Sequence, residues 1–343
     1  MCSIKKGYYM RNSIYKNRYA ALLLLSVSLL GACKKDELES QDLLVFMTGE
    51  YGSYNNEIVI PFIHTPIDVS GNSVVKLAVS ATREVAADVD VTLTPDTSLV
   101  AQYNKANKTN ALALPASAYK IVNPKKYKIP SGKLSSDSVE IEITTPAALT
   151  NPGGYILPLT IGNIEGADRG VKISANRRTT YLFVTYAFNN VQATQVPVAG
   201  TLGARTGWVS SVSNTTAGAL GPAMLDGSNT TYWRSSNSST AAKWVIIDMA
   251  SVQEIKGIRI NPNYTSANEN ATAITVSTSQ DNITWTVQGA WKGTGPATGS
   301  TAANPDLKGI NFIAPVQARY FRLDITAWVS GSRVGIGELN VIK

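Results

Sequence analysis

The sequence predicts an all-β protein built as two successive sandwiches. Three observations carry that expectation. Runs rich in β-branched residues alternate apolar with polar positions, a pattern that lines one face of a strand and not one side of a helix. Clusters of Gly, Pro, Asn, Asp and Ser separate the runs. The chain of 343 residues is long for one sandwich and sufficient for two, each burying its own core.

Residues 1–32 stand outside that pattern and read as a secretion signal. A basic stretch from Arg11 to Arg18 leads into an apolar core from Ala20 to Leu30, then a small-residue exit, Gly31-Ala32, before Cys33. The apolar run is about eleven residues, short of the roughly 20 that span a bilayer. Leu29-Leu30-Gly31-Ala32-Cys33 resembles a bacterial lipobox, which implies that Cys33 is lipidated and becomes the mature N-terminus; Met10 then serves as a natural start. The tether, 33–42, opens with Lys34-Lys35-Asp36-Glu37. That run is similar to the lysine-then-acid signal that sends lipoproteins of Bacteroidetes-type bacteria to the outer face of the outer membrane, and it also suits a plain solvated tether. The resemblance implies a protein held at the outer membrane by its N-terminal lipid alone, facing the exterior. Cys2 and Cys33 are the only cysteines, so the body of the chain offers no disulfide, zinc–thiolate site or cysteine nucleophile.

The formal charge of +7 resides mostly in the signal. Lys5, Lys6, Arg11, Lys16 and Arg18 fall there with no acid, so 31 basic residues less these five leaves 26 against 24 acidic, or +2. With no basic run in the mature chain, nucleic acid is not an expected partner.

Residues 43–187 form the first sandwich. Val75, Leu77 and Val79 alternate with polar or small neighbours, as do Val89, Val91 and Leu93, and then Val139, Ile141 and Ile143. Tyr155 to Ile161 and Tyr181 to Tyr186 close the set, with Pro158 placing its strand at an edge or a bulge. One helical turn is expected near Ser98 to Lys105. The pattern reads as an immunoglobulin-like antiparallel β-sandwich. Val91-Thr92-Leu93 leading to Tyr103-Asn104, Leu114-Pro115-Ala116-Ser117-Ala118-Tyr119, Ile129-Pro130-Ser131-Gly132 and Tyr155-Ile156-Leu157-Pro158-Leu159 together resemble an uncharacterised module at the N-terminus of many Bacteroidetes surface lipoproteins. The resemblance and the chemically quiet composition assign this half a spacer and presentation role.

Residues 188–199, F-N-N-V-Q-A-T-Q-V-P-V-A, lack usable alternation and carry Pro197, with Gly200 following; they are the expected linker. Beyond them strands are expected at Trp244 to Met249, Ile255 to Ile260, Ala273 to Ser279 and Arg319 to Thr326. In the last, Phe321, Leu323 and Ile325 face one way and Tyr320, Arg322 and Asp324 the other.

Ala223 to Ser235, A-M-L-D-G-S-N-T-T-Y-W-R-S, is the stretch on which residues 200–343 turn. Asp226-Gly227 is a strong turn signal, and Asp226 with Thr231 puts a carboxylate and a hydroxyl where both can curl around one hard cation. Glu338 can supply a second acid if the sandwich brings its first and last strands together. This stretch, Trp244-Val245-Ile246-Ile247-Asp248, Ile255 to Ile260, Ser279-Gln280-Asp281-Asn282 with Trp285, Ala318-Arg319-Tyr320-Phe321-Arg322 and Gly337-Glu338-Leu339 resemble, in that order, the coagulation factor 5/8 C-type domain, also called discoidin or carbohydrate-binding module family 32. The resemblance implies a jelly-roll β-sandwich and a structural calcium ion. Its ligands would be Asp226, Thr231 and Glu338, with carbonyls of Ala223, Ser228 and Gly337.

The resemblance also places a glycan on the loops at one end, where a sugar needs a flat aromatic face and planar polar groups. Arg234 follows the core-type Trp233. Asn263, Tyr264, Asn268 and Asn270 occupy the loop after Ile260, which lacks the arginine that relatives carry there. Trp328, just past a strand, is the expected stacking platform. Trp208, Trp233, Trp244 and Trp285 are assigned to the core, and Trp291 is unassigned because W-K-G-T-G looks like an exposed loop.

Catalysis is not expected. His64 is the only histidine, and the nucleophile elbow, P-loop, dinucleotide fingerprint and H-E-x-x-H patterns are absent. The reading is a cell-surface lipoprotein that binds glycan non-covalently during polysaccharide capture, alongside other outer-membrane glycan-uptake proteins. Two rivals stay open: an adhesin-like module for host protein or lipid head groups, and an unrecognised glycoside hydrolase.

Overall fold

The computed structural model describes residues 42–49, 56–122, 126–166 and 170–343. The expected signal 1–32, the lipidated Cys33 and the tether up to residue 41 lie outside them. The chain folds as two β domains in sequence, as the alternation predicts.

The first domain contains, among the described residues, β1 (Leu44–Gly49), β2 (Glu57–His64), β3 (Val69–Gly71), β4 (Val74–Ala81), β5 (Val89–Pro95), β6 (Leu112–Ala113), β7 (Tyr119–Val122), β8 (Tyr127–Ile129), β9 (Val139–Ile143), β10 (Tyr155–Gly166), β11 (Lys172–Ile173) and β12 (Thr179–Phe188). One sheet runs β11-β1-β4-β9-β7; the other runs β3-β2-β12-β10-β5-β8, with β6 also on β10. Val75, Leu77, Val79, Val89, Val91, Leu93, Val139, Ile141 and Ile143 all enter one core. The polar residues between them stay nearer the surface: Glu140 and Glu142 alternate with three buried positions along β9. The expected helical turn is α1 (Val100–Asn107), entered through a 3₁₀ turn that Asp96 caps by accepting the Ser98 N–H.

Two expectations for this domain need correction. Most pairs are antiparallel, but β2–β12, β1–β11 and β6–β10 run parallel. The partners in each case are distant in sequence, so no tight turn dictates their direction. Pro158 is not at an edge, since β10 lies between β12 and β5; the irregularity that β10 carries falls between Ile161 and Asn163, beyond the proline. Its carbonyl accepts the Asp96 N–H, one residue past Pro95, where β5 ends. The proline nitrogen therefore faces the end of a neighbour, where no ladder donor is required.

The second domain is built from β13 (Val209–Val212), β14 (Trp233–Arg234), β15 (Trp244–Pro262), β16 (Ala271–Ser279), β17 (Thr286–Lys292), β18 (Lys308–Trp328) and β19 (Gly335–Ile342). The two long strands belong to both layers. The first half of β15 lies between β13 and the second half of β18, while its second half lies between the first half of β18 and β19. The bend comes after Asp248, where Ala250 takes φ 67° and gives its N–H to the Asp248 carboxylate. Arg319 clamps the same carboxylate with two bonds of 2.8 and 2.9 Å.

Trp233 and Trp291 are fully enclosed in this core, and Trp208 lines it. Trp291 is thus core and not loop, its indole N–H donating to the Gly309 carbonyl at 2.9 Å. Trp244 and Trp285 depart from the core assignment: both are half-buried. Trp244 lies under the Arg322 guanidinium, 5.2 Å from its ring centre.

The expected linker is part of this domain. Val191 sits in its core and bridges to Phe312. Asn190, 3% exposed, donates to the Gln288 side chain and the Ala314 carbonyl and accepts the Ala314 N–H. Asn311 ties down Val196 and Val198. The missing alternation and Pro197 suggested a connection outside both domains because they cannot reveal that these amides find partners in the second domain. Asn190→Ala should strip three buried bonds and lower the unfolding free energy of the second domain by about 2–3 kcal/mol, read from urea denaturation followed by tryptophan fluorescence.

Candidate functional site

Three loops converge at one end of the second domain. Strand β14 pairs Arg234 with Gly335, which sets the start of the 235–243 loop beside the 329–334 loop. Strand β18 ends on Trp328, opposite Ala271, so the 263–270 loop meets them both. Val329 and Ser330 donate their N–H groups to the carbonyls of Asn270 and Asn268, closing the seam.

Arg234 is half-buried and its Nε donates to the Glu269 carboxylate at 2.7 Å, while its guanidinium lies 5.1 Å from the Tyr232 ring centre. Glu269 sits in a 3₁₀ turn, Ala267–Glu269, and is 9% exposed. Asn263 also donates to it, at 3.3 Å. Trp328 is half-buried, packed against the core, with its indole N–H on the Gly331 carbonyl at 2.9 Å. The Lys243 ammonium stands 5.6 Å from that ring's centre. Lys243 is 4% exposed and donates to the Ser238 carbonyl at 2.8 Å; burial pushes its pKa down. Ring and cation thus hold each other in place.

The structure divides the expected contact residues. Arg234, Trp328 and the exposed Asn268 reach the rim. Asn263 and Asn270 do not, being 1% and 5% exposed. Asn270 gives its amide to the carbonyls of Asn263, Ser266 and Ala267 and accepts the Asn263 N–H, while Asn263 accepts the Thr265 N–H. A buried amide must be satisfied, and these two are satisfied by the loop they shape. Tyr264 is half-buried, its hydroxyl accepting the Asp306 N–H at 2.6 Å. Sequence reasoning missed Glu269 and Lys243. Glu269 carried a signal, as the only acid between Glu254 and Asp281; Lys243 carried none.

The rim is shallow, with a cavity of about 20 Å³ beneath it near Asn270, Trp291 and Gly335. A larger cavity, about 450 Å³, lies by Ser279, Gln280, Asp281 and Gln317 at the far end of β16. It has no aromatic wall. Its carboxylate, Asp281, is engaged by the N–H groups of Ile283 and Thr284, which hold its pKa down at about 2.

The expected cation set folds into a cradle elsewhere in the domain. Asp226 accepts the Ser228 N–H and the Thr231 hydroxyl, which also reaches the Ser228 carbonyl. Gly227, at φ 89°, donates to Glu338 at 2.9 Å. Burial pushes Glu338 up, and the Asp226 carboxyl adds to the rise, against the pull of Arg205 and the Gly227 N–H. Burial also raises Asp226, but the bonds from Ser228 and Thr231 outweigh it and its pKa is lowered. The donors are all oxygen, as calcium demands. However, the Arg205 guanidinium is bonded to Glu338 and to the Leu339 carbonyl at 3.2 Å, and reaches the Met224 carbonyl at 3.5 Å. Arg205 thus engages the carbonyls of Met224 and Leu339 as well as the Glu338 carboxylate. A calcium ion and Arg205 would compete for the same carboxylate, so the cradle as folded does not fit the ion.

Residues 208–338 match the family model of the F5/8 type C domain. Residues 38–168 match a second model, described as an N-terminal domain. The F5/8 type C match spans β13 through Glu338 and so contains both the rim and Glu338 of the cradle. A two-domain protein of unknown function from Bacteroides fragilis is similar over 96% of this chain and 100% of its own, at 15% identity and a TM-score of 0.58, a likeness of fold across both domains. A family 32 CBM from Clostridium perfringens, solved with galactose, covers 42% of this chain and 100% of its own at 19% identity and a TM-score of 0.36. A second C. perfringens structure, CpGH89CBM32-5 with GalNAc-β-1,3-galactose, covers 42% and 100% at 17% identity and a TM-score of 0.36. No curated protein matches the chain.

Asn263→Ala should open the 263–270 loop and free Glu269 from one of its two donors. We expect a loss of about 1–3 kcal/mol in urea denaturation and, by NMR, a broadened Arg234 Nε resonance.

Proposed function

We propose that the protein is a lipid-anchored surface protein that captures glycan without covalent chemistry, through the rim of its F5/8 type C domain. The observation that carries this reading is the Trp328 indole, fixed from two directions beside a preset Arg234–Glu269 pair. A pyranose presents an apolar C–H face to an aromatic ring and hydroxyls to planar charged groups. Trp328 supplies the first, and Arg234, Glu269 and Asn268 offer donors and acceptors around it.

Because the pair and the ring are already held, binding costs little ordering. The rim is nonetheless small and shallow, so one site suits a terminal sugar at modest affinity, and capture depends on many copies at the surface. Cys33 and the Lys34–Glu37 run support attachment to the outer leaflet facing the medium. The first domain then serves as a spacer that carries the rim away from the membrane, within reach of other glycan-uptake proteins.

Calorimetric titration of the mature protein against a glycan panel tests the reading. Saturable binding should weaken about tenfold or more in Trp328→Ala, the loss of one stacking contact, while its circular dichroism stays that of the parent. Equal binding by Trp328→Ala, or retention only on host protein or liposomes, sinks the glycan reading. For the anchor, Cys33→Ser should abolish incorporation of labelled palmitate and release the protein from the membrane fraction; unchanged labelling would rule out Cys33 as the attachment point.

A further inference from the structure

We propose that Arg205 is a built-in replacement for a bound cation: its guanidinium does in this domain what a calcium ion would do between Asp226 and Glu338. The inference is independent of what the rim binds.

The position of the side chain is the first argument. Arg205 opens a turn closed by the Trp208 N–H on its carbonyl, and Trp208 lines the core, so the backbone at 205 is anchored. From there the guanidinium crosses the cradle. It bonds to Glu338, donates to Leu339 on β19 and reaches Met224 at the head of the Leu225-Asp226-Gly227 turn. Nη2 passes over Gly227, 3.5 Å from where a Cβ would stand. One side chain thereby joins the acidic turn to the closing strand, the two segments a shared ion would bridge.

Charge is the second argument. The cradle holds two carboxylates, Asp226 and Glu338, the latter's side chain 5% exposed. Arg205 supplies one guanidinium, and Arg259 on β15 adds a second positive charge within electrostatic range of Arg205 and Glu338. The four formal charges cancel. A calcium ion added here would leave an excess of +2 on charges that already balance, next to a Glu338 side chain that is buried. A tethered cation also has a different dependence on conditions: the stabilisation from an ion grows with the logarithm of its concentration over its dissociation constant and vanishes well below it, whereas Arg205 is present at every calcium level.

Thermal unfolding tests the inference. A calcium ion at about one hundred times its dissociation constant would raise Tm by roughly 5–10 °C in a domain of this size. The wild-type protein should show the same Tm in millimolar chelator and in millimolar calcium chloride, with no terbium luminescence sensitised by its tryptophans. Arg205→Ala removes the internal cation and uncovers oxygen donors, so its Tm should fall in chelator and recover in calcium. Arg205→Lys, which keeps the charge, should stay insensitive to calcium. A calcium-dependent Tm or stoichiometric terbium binding in the wild type overturns the proposal. So does an Arg205→Ala protein that is as stable as the parent, or one whose loss calcium does not recover. If Arg205→Ala does not fold, the wild-type titration and Arg205→Lys decide.

Discussion

The second domain depends on one pairing: β15 against β18, held through a bend that both strands share. An antiparallel pair that passes from one sheet into the other must fold over on itself, and so brings its two ends back to the same rim. That is why Lys243 and Trp328, at one end of the pair, meet the 263–270 loop that leaves the other end. The bend is secured by a carboxylate, Asp248, which takes the Ala250 N–H and the Arg319 fork together. A bidentate arginine is well suited to such a place because its planar donors fix direction as well as charge.

At the rim, buried polar groups set the exposed ones. Asn263 and Asn270 spend their hydrogen-bonding capacity on loop backbone, and in doing so hold Glu269 where it can orient Arg234. The lysine beneath Trp328 has an analogous role. Its carbonyl partners and low exposure make it a support for the indole and not a free surface charge. Preset groups of this kind lower the entropy lost when a ligand docks.

The segment between the domains follows the same logic. Asn190, Asn311 and Gln192 turn a stretch with no secondary-structure pattern into an ordered strap on the second domain. The join is therefore defined on one side by hydrogen bonds, and any freedom between the domains has few residues in which to reside.

The sequence by itself determined the all-β class, the buried faces of the strands that alternate most regularly and the order of two domains, because alternation is a local property that burial reads directly: Val139, Ile141 and Ile143 could be placed from spacing alone. It also singled out Arg234 and Trp328 as glycan contacts and Asp226 and Glu338 as cation ligands, from residue type and spacing. What only the tertiary structure decided was partnership. Pro158 lies in a central strand because β5 ends beside it. Trp291 is enclosed although glycines flank it in sequence. Asn263 and Asn270 face inward although they read as loop polar residues. Glu269 closes on Arg234 across 35 positions, and Arg205 closes on Glu338 across 133. Hydrogen bonds and ion pairs act over a few ångströms, and no local pattern records which distant segment will supply the other half.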